Sequence, residues 1–166
     1  AGGTRGGGGE SSSAVDMFDP DTKLWRKAHL SEARTMLAGC AVGPLFMFAG
    51  GTLSRTARGR FSERVDLYDA VTDTWTQATL SVPRTKLAAV GVKDRWAVVA
   101  GGFSHQTYHT RVDVYDAVAM RWTRAALSHP RQYLVAAAAG SLAFFGGGFW
   151  CHTPGCGGGY DRSAAV

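Results

Sequence analysis

Cysteine is scarce in this chain, which has only Cys40, Cys151 and Cys156 in 166 residues. Three scattered cysteines do not make the disulfide framework of a small secreted domain, and they favour a reducing compartment. Long apolar runs are also missing: Leu45–Ala49 is short and residues 134–145 are interrupted by glycine and serine, whereas a membrane helix needs roughly 20 apolar residues. No signal-peptide pattern or initiator Met opens the sequence. We therefore expect a cytoplasmic protein, or a piece of one, that does not enter a membrane.

Proline is rare, with 5 residues, whereas glycine is abundant, with 22. Glycines spread along the whole chain predict many tight turns and short strands rather than helices. The apolar content of 45% and the charged content of 19% exclude a disordered chain. A net charge of +5 permits attraction to acidic partners without establishing it.

One template occurs three times in the sequence: Val-Asp-x-aromatic-Asp, followed by Trp ten positions after the Val. The copies are VDMFDPDTKLW, VDLYDAVTDTW and VDVYDAVAMRW, and they begin at Val15, Val65 and Val112. A Leu-Ser pair follows each Trp, and an arginine stands nine positions after it, at Arg34, Arg84 and Arg131. The copies start 50 and then 47 residues apart. A fixed period of this length is the signature of a repeat architecture.

The other shared positions of the repeat are aromatic or glycine. The aromatic ones are Phe18, Tyr68 and Tyr115, then Trp25, Trp75 and Trp122, and the glycine pairs are Gly50-Gly51, Gly101-Gly102 and Gly147-Gly148. Paired glycines at a strand end predict a positive φ or a close approach of backbone. Recurrent large aromatic residues predict packing between repeats. We interpret all of these positions as structural, and none as part of a cofactor site.

The local pattern within each repeat predicts strands. Apolar and polar residues alternate after Val65, as in a strand with two unlike faces. Two apolar runs joined by a polar or glycine turn follow each repeated arginine, and the turns are Gly43-Pro44, Lys93-Asp94 and Gly140-Ser141. Each repeat is therefore predicted to form four short antiparallel strands.

The glycine pair, the aromatic-Asp pair and the Trp, on a period near 50, resemble the kelch repeat. The resemblance implies an all-β fold, a kelch-type β-propeller segment of about three four-stranded blades that is part of a larger ring. Residues 1–33 would be the outer strands of a truncated blade, and 34–83 and 84–130 two full blades. Residues 131–166 would be the inner strands of another truncated blade with a glycine-rich loop.

Three blades are fewer than the four to eight of closed propellers, and three explanations stay open. The chain is a fragment of a longer protein with more blades. Alternatively, two copies complete one ring, with the inner pair of strands of one copy joining the outer pair of the other. The third explanation is an open array of blades, which would expose apolar blade faces and aggregate.

The segments SEARTMLAGCAVG and SVPRTKLAAVGV resemble kelch domains of cytosolic ubiquitin-ligase adaptors. In that family, arginines at the places of Arg34, Arg84 and Arg131 can reach the channel mouth and bind acidic degron motifs. A planar guanidinium suits a carboxylate ligand. The alternative is a structural arginine that bonds loop carbonyls. A second candidate is the variable loop between the second and third strands of a repeat, which carries Arg55, Arg58, Arg60 and Arg64. Its partner would be an acidic protein segment, and the alternative is a plain solvated loop; nucleic acid is disfavoured.

No residue pattern predicts a metal site, a cofactor or catalysis. His105 with His109, and Cys151-His152 with Cys156, each offer fewer ligands than a metal site needs. No nucleophile–base pair or phosphate loop stands out. We therefore expect a non-catalytic protein-interaction scaffold, such as the substrate-recognition part of a ubiquitin-ligase adaptor or a cytoskeletal protein. The alternative is a kelch-like propeller enzyme of the oxidase or sugar epimerase type.

Overall fold

The structure is a computed structural model that describes residues 1–5, 10–53, 60–150 and 161–162. The described residues form strands and turns and no helix. In chain order the strands are β1 (Thr4–Arg5), β2 (Glu10–Ser11), β3 (Ala14–Asp19), β4 (Leu24–His29), β5 (Ala38–Val42), β6 (Leu45–Ala49), β7 (Arg64–Asp69), β8 (Thr74–Thr79) and β9 (Ala88–Val92). They continue with β10 (Trp96–Ala100), β11 (Phe103–Ser104), β12 (Thr107–Tyr108), β13 (Arg111–Asp116), β14 (Arg121–Ala126), β15 (Val135–Ala139), β16 (Leu142–Gly146), β17 (Phe149–Trp150) and β18 (Asp161–Arg162).

The long strands pair into antiparallel sheets that repeat along the chain. One four-stranded sheet has the order β5-β6-β7-β8, and the other has the order β14-β13-β10-β9. Two-stranded sheets lie at either end of the sequence, β3 with β4 and β15 with β16, and three short hairpins pair β1 with β2, β11 with β12 and β17 with β18. No sheet formed by the described residues closes on itself. The predicted all-β fold is thus confirmed.

The two four-stranded sheets have the same register. Phe46 on β6 faces Tyr68 on β7, and Ala97 on β10 faces Tyr115 on β13 in the same way. The turns between β5 and β6, between β9 and β10, and between β15 and β16 fall where the sequence predicts them. In the first of these turns Gly43 has a φ of +55°, which few other residues adopt easily. Register and turns therefore follow directly from the repeat.

Neighbouring sheets pack through their first strands, β9 against β5 and β15 against β9. The second glycine of each pair joins the next repeat through its backbone. Gly51 N–H donates to the carbonyl of Arg84 at 2.8 Å, and Gly102 N–H donates to the carbonyl of Arg131 at 2.8 Å. The core runs along this line of contact and includes Met47, which is fully buried. Each repeat is thus tied to the next by backbone as well as by apolar packing.

The terminal sheets leave apolar side chains uncovered. Tyr68 and Tyr115, on strands with a neighbour on both sides, are 7% and 8% exposed, whereas Phe18 on β3 is 50% exposed. Trp25 on β4 is 67% exposed and so departs from the expectation that each repeated tryptophan packs between repeats. The reason is local: Trp75 stacks on Phe48 of the inner hairpin of its own sheet, and no inner hairpin is paired with β3 among the described residues.

No helix that could span a bilayer occurs in the described part of the chain.

Alanine at Gly101 should destabilise the fold much more than alanine at Gly140. Both glycines have a positive φ, +67° and +57°, so both variants carry the left-handed backbone cost of roughly 1–2 kcal/mol. A Cβ at Gly101 would also lie 2.7 Å from the Arg131 carbonyl, while a Cβ at Gly140 meets nothing within 4 Å. We expect Gly101→Ala to cost about 1–3 kcal/mol more, measured by urea unfolding. Equal losses would contradict the close approach.

Candidate functional site

The first candidate side chains, the repeated arginines, are buried. Arg34 is 0% exposed; its guanidinium donates to the carbonyl oxygens of Gly50, at 3.0 Å, and Arg64, at 2.6 Å, and forms an ion pair with Asp66. Asp66 also accepts a hydrogen bond from Ser31 N–H of the preceding repeat at 3.2 Å. This arginine therefore joins strand ends of its own sheet and does not face solvent.

Arg84 repeats the burial and the ion pair one sheet later. It is 0% exposed, and its Nη2 lies 2.9 Å from Oδ2 of Asp113, which in turn accepts from Ser81 N–H at 3.3 Å. Burial lowers the pKa of both guanidinium groups, and the facing carboxylates of Asp66 and Asp113 oppose that shift. The geometry favours the structural interpretation that the sequence left open for these arginines.

Arg131 occupies the corresponding place before β15 and is 4% exposed. Its backbone N–H donates to the carbonyl of His109 at 3.3 Å, and its own carbonyl accepts from Gly102 N–H. The three repeated arginines are therefore parts of the joints between repeats and lie beneath the surface.

The arginines of the variable loop are only partly within the described residues, because Arg55 and Arg58 lie outside them. Arg60 is exposed, and the exposed Arg64 side chain on β7 donates to the side-chain oxygen of Gln77 on β8 at 3.1 Å. Arg60 and Arg64 line one cavity of about 450 Å³ together with Glu32 and Glu63. The cavity wall therefore carries both signs of charge.

The residue two places after each repeated arginine faces outward, and the sequence analysis did not single it out. These residues are Met36, Lys86 and Tyr133, with φ values of +55°, +57° and +56°. They lie side by side across the repeats, because Lys86 N–H donates to the Met36 carbonyl at 3.1 Å and Tyr133 N–H donates to the Lys86 carbonyl at 2.9 Å. The sequence did contain a signal for them: the residue two positions after the repeated arginine differs from copy to copy, whereas the arginine does not.

Aromatic rings extend this outward line into a surface that we call the aromatic strip. Its members are Phe61, Phe103, Tyr108, Tyr133 and Phe149, with the amine of Lys86 among them. The Lys86 amine lies 4.9 Å from the ring centre of Tyr133 and 5.3 Å from that of Phe103, within the range of cation–π attraction. The rings fix the position of this cation while it stays partly exposed.

A serine–histidine pair adjoins the strip along the chain, since Ser104 follows Phe103 and His109 follows Tyr108. It was not expected from the sequence. Ser104 Oγ is 2.8 Å from Nε2 of His109. Desolvation, then Arg84, Arg111 and His105, lower the pKa of His109 to about 4, which makes it a weak base at neutral pH.

His109 occupies a position of the repeat, and this argues for a structural role. Its N–H donates to the carbonyl of Gly102, as Ser12 N–H donates to Gly3 and Ser62 N–H to Gly51. A side chain that stands in for a recurring serine is part of the fold, and Ser104 is itself buried. The arrangement offers no activated nucleophile.

No group of three or more metal-ligating side chains occurs among the residues that the structure describes. His105 packs edge-on against the ring of Phe61 at 5.1 Å. The other candidate ligands, Cys151, His152 and Cys156, lie outside the described residues. The remaining cysteine, Cys40, is buried on β5, and desolvation raises the pKa of its thiol to about 11.

The comparisons with known proteins show a likeness in fold. No family model and no curated protein matches the chain. Among solved structures, it resembles that of the protein YjhT, with a TM-score of 0.67 and 20% sequence identity over 83% of this chain and 46% of YjhT. The chain thus spans about half the length of that protein. At this identity, the likeness bears on the fold alone.

Removing Asp113 should destabilise the protein by about 3–5 kcal/mol, because Arg84 would keep its charge in a buried place without a counter-charge. Urea unfolding of Asp113→Ala measures this loss. The double variant with Arg84→Met should recover part of it, since the remaining charge is then removed as well. A single variant that loses less than about 1 kcal/mol would show that the pair is not a joint of the fold.

Stability should fall between pH 6.5 and pH 4 through His109. The folded pKa is lowered to about 4 from 6.5, so the unfolded chain binds more protons in this window and the free energy of unfolding decreases as the pH falls. His109→Ser, which restores the serine of the other repeats, should flatten this decrease in urea titrations. His29→Ser, at an exposed site on β4, is the matched control. An unchanged slope for His109→Ser would contradict the prediction.

Proposed function

We propose that this chain is a segment of a kelch-type β-propeller that binds another protein through the aromatic strip and the loops beside it. The repeat period and the four-stranded sheets of equal register support the propeller. Each four-stranded sheet would be one blade, with β5 and β9 innermost. The terminal sheets would be the incomplete blades that the repeat boundaries predict.

The outward cation of Lys86 between two aromatic rings carries the functional part of the proposal. Aromatic residues and cations together are typical of the energetic centres of protein interfaces. The rings restrict the lysine side chain, so less conformational entropy is lost when a ligand carboxylate meets its amine. Arg60 adds a second exposed cation next to Phe61. The partner that this chemistry suits best is an acidic peptide segment of a protein in the cytoplasm.

Because Arg34, Arg84 and Arg131 are buried, the cations available to a partner at the strip are those of Lys86 and Arg60. Their guanidinium groups are occupied or enclosed in the joints between repeats, and a ligand would have to open a joint to reach them. The outward residues Met36, Lys86 and Tyr133 each follow one of these arginines by two positions. Recognition by the strip therefore leaves the fold intact.

The role of a scaffold without catalysis rests on the same side chains. Of the described residues, the closest approach to a catalytic pair is Ser104 with His109, and the lowered pKa of that histidine makes it a poor base. A binding scaffold of this kind needs neither a cofactor nor a metal. The identity of its partner would distinguish an adaptor from a cytoskeletal protein.

Binding of acidic peptides should depend on Lys86. An array of peptides of one length, acidic and neutral, would be titrated against the 166-residue chain and its Lys86→Glu variant at fixed salt. Reversing this charge should weaken binding of acidic peptides by roughly tenfold or more, the equivalent of about 1.4 kcal/mol. Lys93→Glu, an exposed lysine in the turn before β10, is the matched control and should bind as the parent does.

Three results would contradict the proposal. Neutral and acidic peptides could bind equally, or Lys93→Glu could lose as much affinity as Lys86→Glu. Binding that ignores peptide sequence and falls steeply with salt would instead favour a nucleic-acid partner.

A further inference from the structure

We propose that the partner of the aromatic strip is an extended acidic segment that carries an apolar residue two positions before and two positions after its central carboxylate. This preference rests on the proposed function and deepens it, because it concerns the residues that flank the acidic one. It is measured with peptides of equal charge, so it can fail while the binding of acidic peptides through Lys86 stands.

The cation of Lys86 has no counter-charge of its own. None of the ion pairs formed by the described residues includes it. Its amine lies instead 4.9 Å from the ring centre of Tyr133 and 5.3 Å from that of Phe103. A ring attracts a cation through its quadrupole but carries no net charge. A ligand carboxylate can therefore pair with this amine without displacing an existing carboxylate.

Apolar side chains lie uncovered on both sides of this cation. Met36 is 37% and Tyr133 is 50% exposed, although large apolar residues are mostly buried in folded proteins. The backbone bonds that join Lys86 to Met36, and Tyr133 to Lys86, fix the order of the three residues across the repeats. The surface thus presents an apolar, a cationic and an aromatic side chain in a row.

The spacing of the row suits a strand-like ligand. Chain segments joined by N–H···O=C bonds lie roughly 5 Å apart, which places Met36 and Tyr133 about 10 Å from each other with Lys86 between them. In an extended peptide, every second side chain points to the same face at intervals of roughly 6.6 Å. The flexible side chain of Met36 and the long one of Tyr133 can span the difference. Residues directly beside the ligand carboxylate would point away from the row.

The ligand is recognised through its side chains, because the backbone of Lys86 is already bonded on both sides. Its N–H donates to the Met36 carbonyl at 3.1 Å, and its carbonyl accepts from Tyr133 N–H at 2.9 Å. Lys86 therefore has no N–H left for an incoming strand. Strand addition, in which main-chain bonds supply the affinity, is thus disfavoured at the centre of the row, and the placement of the ligand side chains decides the affinity.

Peptides of equal length and charge test the spacing. The spaced peptide carries a central glutamate with a leucine at the second position on either side, in a background of serine and glycine. Its isomer has both leucines directly beside the glutamate, and a leucine-free peptide has serine in their place. Titrated against the 166-residue chain at fixed salt, the spaced peptide should bind roughly fivefold or more tightly than the other two, because only its leucines face the row.

Asparagine at Met36 or Tyr133 should weaken this preference. Both residues have a positive φ, of +55° and +56°, which asparagine tolerates better than most residues. The readout is the affinity for the spaced peptide divided by that for the leucine-free peptide, because a general loss of carboxylate binding cancels in this ratio. Each variant should lower the ratio by roughly twofold or more, since one of the two apolar contacts is lost.

Met120→Asn is the matched control for Met36→Asn. Met120 is also an exposed methionine at positive φ, 78% exposed with a φ of +49°, and it lies in the turn before β14. The ratio of affinities should not change in this variant. Urea unfolding of all three variants checks that each is folded under the conditions of the titration.

Equal binding of the spaced peptide and its isomer, with Lys86→Glu weakening both, would overturn the preference and leave the acidic-peptide proposal standing. A ratio that Met36→Asn and Tyr133→Asn leave unchanged, or that Met120→Asn lowers as much, would also overturn the preference. If no acidic peptide bound, or if a leucine peptide without glutamate bound as tightly, this preference and the proposed function would both be wrong.

Discussion

Buried Arg34 and Arg84, which stand just before β5 and β9, tie together the elements around them. Each side chain pairs with the Val-Asp aspartate on the third strand of its own sheet, and each carbonyl accepts a hydrogen bond from the second glycine of the preceding repeat. One residue thus binds in two directions, within a repeat and between repeats. A guanidinium can do this because it has five donors on a rigid plane. The glycine pair exists to let that carbonyl approach, since a Cβ at Gly50 would stand 2.6 Å from it.

The local fold could be predicted almost completely from the sequence, because a repeat supplies the same evidence three times. The strand order within a sheet, the turns at Gly43 and Gly140 and the glycine pairs follow from spacing and from residue chemistry alone. The exposure of Trp25 could not be read in this way. A tryptophan is buried by what lies opposite, and the repeat pattern does not say whether a particular copy has its neighbour.

The candidate site was harder to predict, and Arg84 and Lys86 show why. Both are cations in the same short segment, yet the arginine is enclosed and the lysine two places later faces outward. The difference lies in a backbone turn to positive φ at Lys86, which reverses the direction in which the side chain leaves the chain. Lysine has no preference for such a conformation, so its residue type gives no warning. The outward direction of Lys86 could be predicted only from its position two residues after the repeated arginine.

That backbone turn has a consequence for how such a surface can change over time. Met36, Lys86 and Tyr133 hold a conformation that glycine would adopt with less cost, and their backbone bonds to one another do not depend on the side chain. A substitution at any of the three alters what the surface offers while the frame beneath keeps its shape. Each repeat therefore contributes one side chain to this surface that can be substituted independently, and the binding specificity can change without a change in the fold.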